Sequence, residues 1–348
     1  MNIKKRIVGL FFLSLLFGNM CFLYGENNAS PVIEKNNQYI HNKGRAQGTT
    51  YSATYLQPQG IDLQQKIEDR LHQFDMSLST YQPNSIISRI NRNDTTVTTD
   101  QDFEIMYSAA RETAENTNGA LDITVGPLVK AWGFAFGNND HSKIPVPQDY
   151  LPYIGYKKIR IVKHKLIKED PRILIDANAI AQGYSSDLIA ELLEDNGCKN
   201  YMIEIGGEVV CKGLNPKASK WRIGIDKPIE NGESNLGEIQ AVVALNNGAL
   251  TTAGSYRKFY YLNGKKYSHT IDPHTGAPVT HNLLSATVIA PTALMADAYD
   301  TAFMVLGVEK SLELCKKIPG LDCYLIYVDK NGVNQVAYSD GFKKYLSE

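Results

Sequence analysis

Apolar residues repeat along this chain with two different periods. Between Ile61 and Met76, Ile67, Leu71 and Phe74 recur at the spacing of a helix that buries one face. Asp100 stands at a capping position ahead of a helical stretch to Asn118, which Gly119 ends. Further helices are predicted up to Asn196, closed by Gly197, and over Met295 to Leu306, closed by Gly307, with Ile86 to Asn91 as a short amphipathic piece. Elsewhere the period is two. Gly48 to Leu56 predicts the first strand, Ile159, Ile161 and Leu166 a hairpin, and Ile173-Leu174-Ile175-Asp176 a buried strand ending in a carboxylate. Tyr201 to Ile205, Trp221 to Asp226, Ile239 to Leu245 and Ser285 to Ile289 read as strands, and Ala249 to Tyr256 as a small-residue strand and turn. Asn263-Gly264 and Asn331-Gly332, each between β-rich runs, signal two tight hairpins. Asn138 to Pro147 and Glu230 to Glu238 are polar loops. No linker rich in Pro, Gly or Ser divides the chain. The pattern therefore predicts one α+β domain over residues 38–348, of one or two lobes, with mixed or antiparallel sheets and flanking helices.

The first residues follow another logic. Lys4, Lys5 and Arg6 precede an apolar run from Ile7 to Phe17 and then small and polar residues, the layout of a secretory signal over residues 1–25. The run is shorter than the ~20 residues a membrane-spanning helix needs. An exported, periplasmic protein is expected, with residues 26–37 as a polar leader. Cys21 admits two readings: lipidation after cleavage, which would hold the protein at the inner membrane, or removal with the signal. Cys198, Cys211, Cys315 and Cys323 form no CxxC pair and read as core residues.

Composition excludes one class. Lys and Arg number 36 against 37 Asp and Glu, so no net field attracts nucleic acid. No repeat, coiled coil, phosphate-cradling Walker loop, GxGxxG or Gly-x-Ser-x-Gly elbow occurs in the chain.

The residues that carry chemistry are scattered. Asp297 and Thr301, four apart on a helix, stack a carboxylate on a hydroxyl, which suits Mg²⁺ but equally describes a polar stripe. Asp176 ends a strand and leads through Ala177-Asn178-Ala179 into a helix N-terminus, where free N–H groups make an anion site or a plain connection. Ser77 to Ser85 is a hydroxyl-rich loop in which Tyr81 offers a π face to a flat ligand, or forms only a turn. Asp122 lies in an apolar stretch before Gly126-Pro127 and needs partners from a turn or a ligand. Gly206-Gly207, ahead of Glu208, permits close approach of a ligand or of backbone. His269 with Asp272 nearby reads as a base with an orienting carboxylate, or as a turn stabilised by Asp272 and Thr275.

Taken together and in order, these motifs resemble the ApbE family of FAD:protein FMN transferases. The resemblance runs through the loop at Ser79 to Ser85, Asp122 to Leu128, Ile175-Asp176 to Gly183, Ile205-Gly206-Gly207-Glu208, Leu250 to Gly254, Ser268 to Gly276 and Ala296-Asp297 to Thr301. It implies an ApbE-like, T-fold-like domain. It also implies Mg²⁺ held by Asp297, Thr301 and the backbone carbonyl at Ala179. Tyr81, Asp122, Asp176, Glu208, Thr252 and Ser268 would lie around FAD, with His269 and Asp272 beside its pyrophosphate as the catalytic pair. FMN would pass from FAD to a Thr or Ser hydroxyl of another protein, a flavoprotein subunit of a membrane electron-transfer complex, with release of AMP. The same site acting on water would be an FAD pyrophosphatase, and a silent one an FAD-binding lipoprotein. Three departures stand out. Asp176-Ala177-Asn178-Ala179 replaces a pattern with Leu-Gly before that alanine. Gln182 stands where Lys is usual, and Ala253-Gly254-Ser255 where Ser-Gly-Asp is common.

Overall fold

The computed structural model describes residues 38–135, 141–229, 238–256 and 258–347. The signal, the leader and Cys21 lie outside the described residues, as do most of the Glu230 to Glu238 loop and part of the Asn138 to Pro147 loop. In chain order the elements are β1 (Ile40–Ala46), β2 (Thr49–Tyr55), α1 (Gln64–Leu78), α2 (Ile86–Asn91), α3 (Gln101–Asn116), α4 (Gly126–Ala131), β3 (Ile159–Val162), β4 (Lys165–Lys168), α5 (Ala181–Asp195), β5 (Tyr201–Ile205), β6 (Glu208–Lys212), β7 (Trp221–Asp226) and β8 (Ile239–Leu245). Then follow β9 (Asn247–Gly254), β10 (Phe259–Leu262), β11 (Lys265–Ser268), β12 (Ile271–Asp272), β13 (Ala277–Pro278), β14 (Leu283–Ala290), α6 (Ala293–Leu306), α7 (Val308–Lys317), β15 (Asp322–Val328) and β16 (Asn334–Tyr338).

Eight strands form one antiparallel sheet in the order β1-β2-β5-β6-β9-β14-β15-β16. Alternation along the strands separates its two faces. Ala249 packs with Val210, Ile203 and Ala293 under the helices, while its neighbour Leu250 packs with Val209, Ile289 and Trp221 under the β7–β8 hairpin. Both faces are thus covered. Helices α5 and α6 lie directly on the sheet, and α1 and α3 pack outside them around Phe74, Phe103, Met106, Ile175 and Ala298. The described residues belong to one compact unit, and the α+β expectation holds.

Local signals explain most elements. The Asp100 carboxylate accepts the Phe103 N–H at 2.9 Å and starts α3. Asn263 and Gly264, with φ of 51° and 74°, make the β10–β11 turn. The segment Ile173 to Asp176 corrects the sequence reading, because Ile173 and Ile175 are buried but the segment is not a strand. Leu174 makes a single parallel bridge to Val125. The backbone of Ile175 is instead bound at both ends by the Asn91 side chain, at 2.7 and 2.8 Å. The strands β1 and β6 and the helices α4 and α7 were not expected. Strand β1 is a polar edge strand without apolar alternation.

Candidate active site

The first turn of α5 sits against the first turns of α6, and the contact leaves no room for a side chain. A Cβ on Gly183 would lie 2.7 Å from the Asp297 Cβ and would collide with the Ala293 carbonyl oxygen. At this approach the Gly183 N–H donates to Asp297 Oδ2 at 2.8 Å. That N–H is one of the unpaired donors at the start of α5, whose N-cap residue Ile180 provides no side-chain cap. Asp297 therefore caps α5 from the neighbouring helix. Asp187 of α5 returns the interaction, accepting the N–H groups of Ala293 and Leu294 at 2.8 and 2.7 Å. Burial pushes both carboxyls up to about 7, against the pull of these hydrogen bonds.

Beside this contact opens a cavity of about 360 Å³, within the range of small-molecule sites. Its wall brings together Tyr81, Asp122, Asp176, Ala179, His269 and Thr301, six residues drawn from five separate segments of the chain. Thr301 is one helical turn beyond Asp297, which lies behind the wall and is 5% exposed. Tyr81 is 45% exposed, and Asp176 lies close enough for its charge to disfavour the phenolate. Asp176 accepts the Asn178 N–H at 2.9 Å. Burial raises its pKa, opposed by that bond and by the charge of Lys258.

His269 is held through its Nδ1, 3.1 Å from the Lys258 carbonyl oxygen. A carbonyl only accepts, so Nδ1 carries the proton and the neutral ring presents Nε2 as an acceptor. Burial lowers its pKa, and the Lys258 charge adds to that effect against the backbone bond. The Phe134 ring stands edge-on to the imidazole at 6.3 Å.

Other expected residues are placed elsewhere. Asp272 does not orient His269: its Oδ1 takes the N–H and the ring Nδ1 of His274, at 2.9 and 3.0 Å. The turn reading of that carboxylate therefore prevails. Thr252 points away from the cavity, because its neighbour Ala253 lines the wall and successive strand residues face opposite sides. Its hydroxyl lies 2.9 Å from that of Thr287 on β14. Glu208 and Ser268 are buried on β6 and β11 and do not line the wall. Asp122 lines it but is already engaged: the Thr124 N–H and hydroxyl of its own turn donate to Oδ1, and the Tyr156 N–H of a distant segment donates to Oδ2.

Sequence reasoning missed Lys258, which lines the cavity and donates from Nζ to the Phe134 carbonyl at 3.1 Å. It brings a cation into the wall where Gln182, also a wall residue, brings none. No motif marks Lys258, although its position in the β10 approach to His269 was a signal. Asp300 was missed as well. It lies between Asp297 and Thr301 in sequence, is 1% exposed, and has no hydrogen-bond partner on either carboxylate oxygen.

Among the described residues no three His, Cys, Asp or Glu side chains converge as a metal cage. A hard cation here would therefore draw on hydroxyl and backbone carbonyl oxygens as well. The donors present fit one: all are oxygens, and the buried Asp300 carboxyl has no regular hydrogen bond of its own.

Comparison with known proteins gives the same picture. Residues 47–325 match the ApbE family model. The FAD:protein FMN transferase of Haemophilus influenzae is 37% identical over 326 residues, spanning 89% of this chain and 92% of that one. The enzyme of the same description from Escherichia coli K12 is 34% identical over 353 residues, covering 96% and 95%. Among solved structures, the flavin transferase ApbE from Vibrio cholerae superposes with a TM-score of 0.79 at 31% identity, covering 89% of this chain and 99% of that chain. The Pseudomonas stutzeri flavinyl transferase ApbE in its apo form gives 0.79 at 28% identity, covering 89% and 98%. With the motif order, the sheet and the cavity all in agreement, the chain belongs to the ApbE family.

Proposed function

We propose that this chain is an FAD:protein FMN transferase, moving FMN from FAD to a Thr or Ser hydroxyl of an acceptor protein and releasing AMP. The observation that carries the reading is that His269 lines the same cavity as Ala179 and Thr301, one turn from Asp297. An acceptor for a hydroxyl proton thus shares a small-molecule site with hard oxygen donors.

The chemistry follows from the residues. The acceptor hydroxyl oxygen forms a bond to the phosphorus that carries the riboflavin half. The bridging P–O bond breaks, and its electron pair leaves with AMP. His269 Nε2 takes the hydroxyl proton, since the ring is neutral near pH 7 and its Nδ1 is fixed on Lys258. Tyr81, half exposed at the rim, offers a flat face to the isoalloxazine. Lys258 offers positive charge to phosphate oxygens. The wall otherwise carries Asp75, Asp122 and Asp176, with Asp297 and Asp300 behind it, so an anionic dinucleotide needs further positive charge to enter. Asp297, Thr301 and the Ala179 carbonyl are the residues that would hold Mg²⁺, which would neutralise the pyrophosphate as a Lewis acid.

The layout of residues 1–25 supports export to the periplasm, with the domain running over residues 38–348 and the acceptor a flavin-carrying subunit of a membrane electron-transfer complex. Among the described residues no helix is long and apolar enough to cross a membrane. Lipid anchoring would therefore fall to Cys21, and the mass of the mature N-terminal peptide tests it. The decisive experiment incubates the protein with FAD, Mg²⁺ and a candidate acceptor and reads intact masses. A mass gain of one FMN supports transfer, free FMN alone indicates hydrolysis, and unchanged FAD indicates a binding protein.

A further inference from the structure

Among the described residues Asp300 is the one acid whose two carboxylate oxygens are both buried without a regular hydrogen bond. It is 1% exposed, and neither carboxylate oxygen has a hydrogen-bond partner. Thr251 of β9 is equally buried and its hydroxyl equally unpartnered. Thr251 and the N–H and hydroxyl of Thr301 lie close enough to favour the charged carboxyl, each without a hydrogen bond of regular geometry. Buried polar side chains are nearly always paired, and a buried carboxylate is normally met by a cation or kept protonated. No Lys, Arg or His among the described residues makes a hydrogen bond or ion pair to Asp300. Its charged neighbour is Asp297, three residues earlier on the same helix face, which opposes its charge.

A structural role accounts poorly for this arrangement. Asp297 and Asp187 each cap a helix start, whereas Asp300 caps nothing. An alanine would fill the position in α6 without burying a polar group, and a serine would bury only a hydroxyl. The carboxylate lies one turn from Asp297 and directly before Thr301, at the two residues proposed to hold the metal.

We infer that Asp300 is the second carboxylate of the divalent-cation site, supplying the negative charge that, with Asp297, balances a hard dication such as Mg²⁺ or Mn²⁺. The inference rests on the metal reading of the proposed function and adds a group that the resemblance did not assign. With two carboxylates the site matches the cation's charge, so binding does not depend on FAD phosphates being present.

The test uses the whole protein, stripped with EDTA and titrated calorimetrically with MgCl₂ or MnCl₂ alone. Wild type, Asp297→Ala, Asp300→Asn and Asp300→Ser are compared, and each is melted with and without metal. The expected result is a loss of affinity of about tenfold or more in both Asp300 variants. Their metal-free melting temperature should equal or exceed that of wild type, while the increment from Mg²⁺ shrinks. Metal affinity within about twofold of wild type would overturn the inference, since Asp300 would then act on the fold alone. Failure of both variants to fold would overturn it for the same reason. If wild type binds metal, Asp297→Ala does not and the Asp300 variants are unchanged, only this inference falls. If wild type binds none, the metal reading falls and this one with it.

Discussion

Gly183→Ala is the substitution for which the fold makes its sharpest demand. In an ordinary helix the change is favourable by about 1 kcal/mol, because alanine is the better helix former. Here the new Cβ would stand 2.7 Å from the Asp297 Cβ, and the Ala293 carbonyl blocks it as well. Carbon atoms rest about 3.5–4.0 Å apart, so α5 and α6 must separate by roughly 1 Å. Overpacking of this kind costs about 1–3 kcal/mol. The same displacement stretches the 2.8 Å bond from Gly183 N to Asp297 Oδ2, and a hydrogen bond to a charged group is worth about 1.5–3 kcal/mol. The clash and the strained bond outweigh the propensity gain, for a net loss of roughly 2–5 kcal/mol. In a domain of this size that lowers the melting temperature by on the order of 10 °C. Transfer activity should fall further than stability, to about one hundredth, because Asp297 moves by the same ångström. Thermal denaturation by circular dichroism and the acceptor mass assay on the folded fraction read the two effects. A variant as stable as wild type and fully active would show that propensity dominates, and that the closeness of the two helices does not set the site.

Three further outcomes are expected. His269→Gln should cut transfer by about 10²–10⁴-fold with FAD affinity retained, and the acid limb of kcat/KM in the wild type should lie below 6.5, because burial lowers the imidazole pKa; a wild-type limb above 6.5, or a variant with near-normal turnover, would remove His269 as the base. Asp187 has a folded pKa of about 7 against 3.8 for the free group, so the folded state holds an extra proton between those values. Stability in EDTA should therefore fall as pH rises through that window, by at most roughly 4 kcal/mol for this group, and urea midpoints that climb from pH 5 to 7 would contradict the sign. Tyr81→Ala should weaken FAD binding by about 1 kcal/mol, whereas Thr252→Val should leave it unchanged and cost only stability, both read by flavin fluorescence titration.

Much of this architecture was legible because its signals are local. The Asp100 cap, the Asn263-Gly264 turn and the Gly307 stop, where φ is 79°, each act within a few residues, and each element appears where its signal stands. The segment Ile173 to Asp176 misled for a physical reason. Ile173 and Ile175 are buried as expected, but the Ile175 backbone is bound by the Asn91 side chain, which no periodicity reveals. Pairings across a turn were equally hidden. Spacing set Asp272 near His269, yet the chain bends so that His274 takes the carboxylate. Nothing in the sequence singles out Asp187 on α5 or Asp300 on α6. Their burial is a property of helix against helix and helix against sheet, which one strand of text does not contain.

The reciprocal capping of α5 and α6 explains why a site forms at this junction. Each helix begins against the other, so two sets of unpaired N–H groups and two positive helix ends meet in one place. Such a meeting repels itself unless anions intervene, and Asp187 and Asp297 are those anions. The carboxylates are thus needed for packing before any ligand arrives, and their burial follows from the closeness that Gly183 allows. Once buried, both are pushed up to about 7 and hold their negative charge weakly, which is the condition under which a hard cation can displace the proton and a phosphate can follow it. The order of causes then runs from a missing side chain at residue 183, to a helix contact, to a pair of buried acids, to a place where an anionic dinucleotide and a metal stabilise each other. Thr301 and His269 need only reach the edge of that place, and both do.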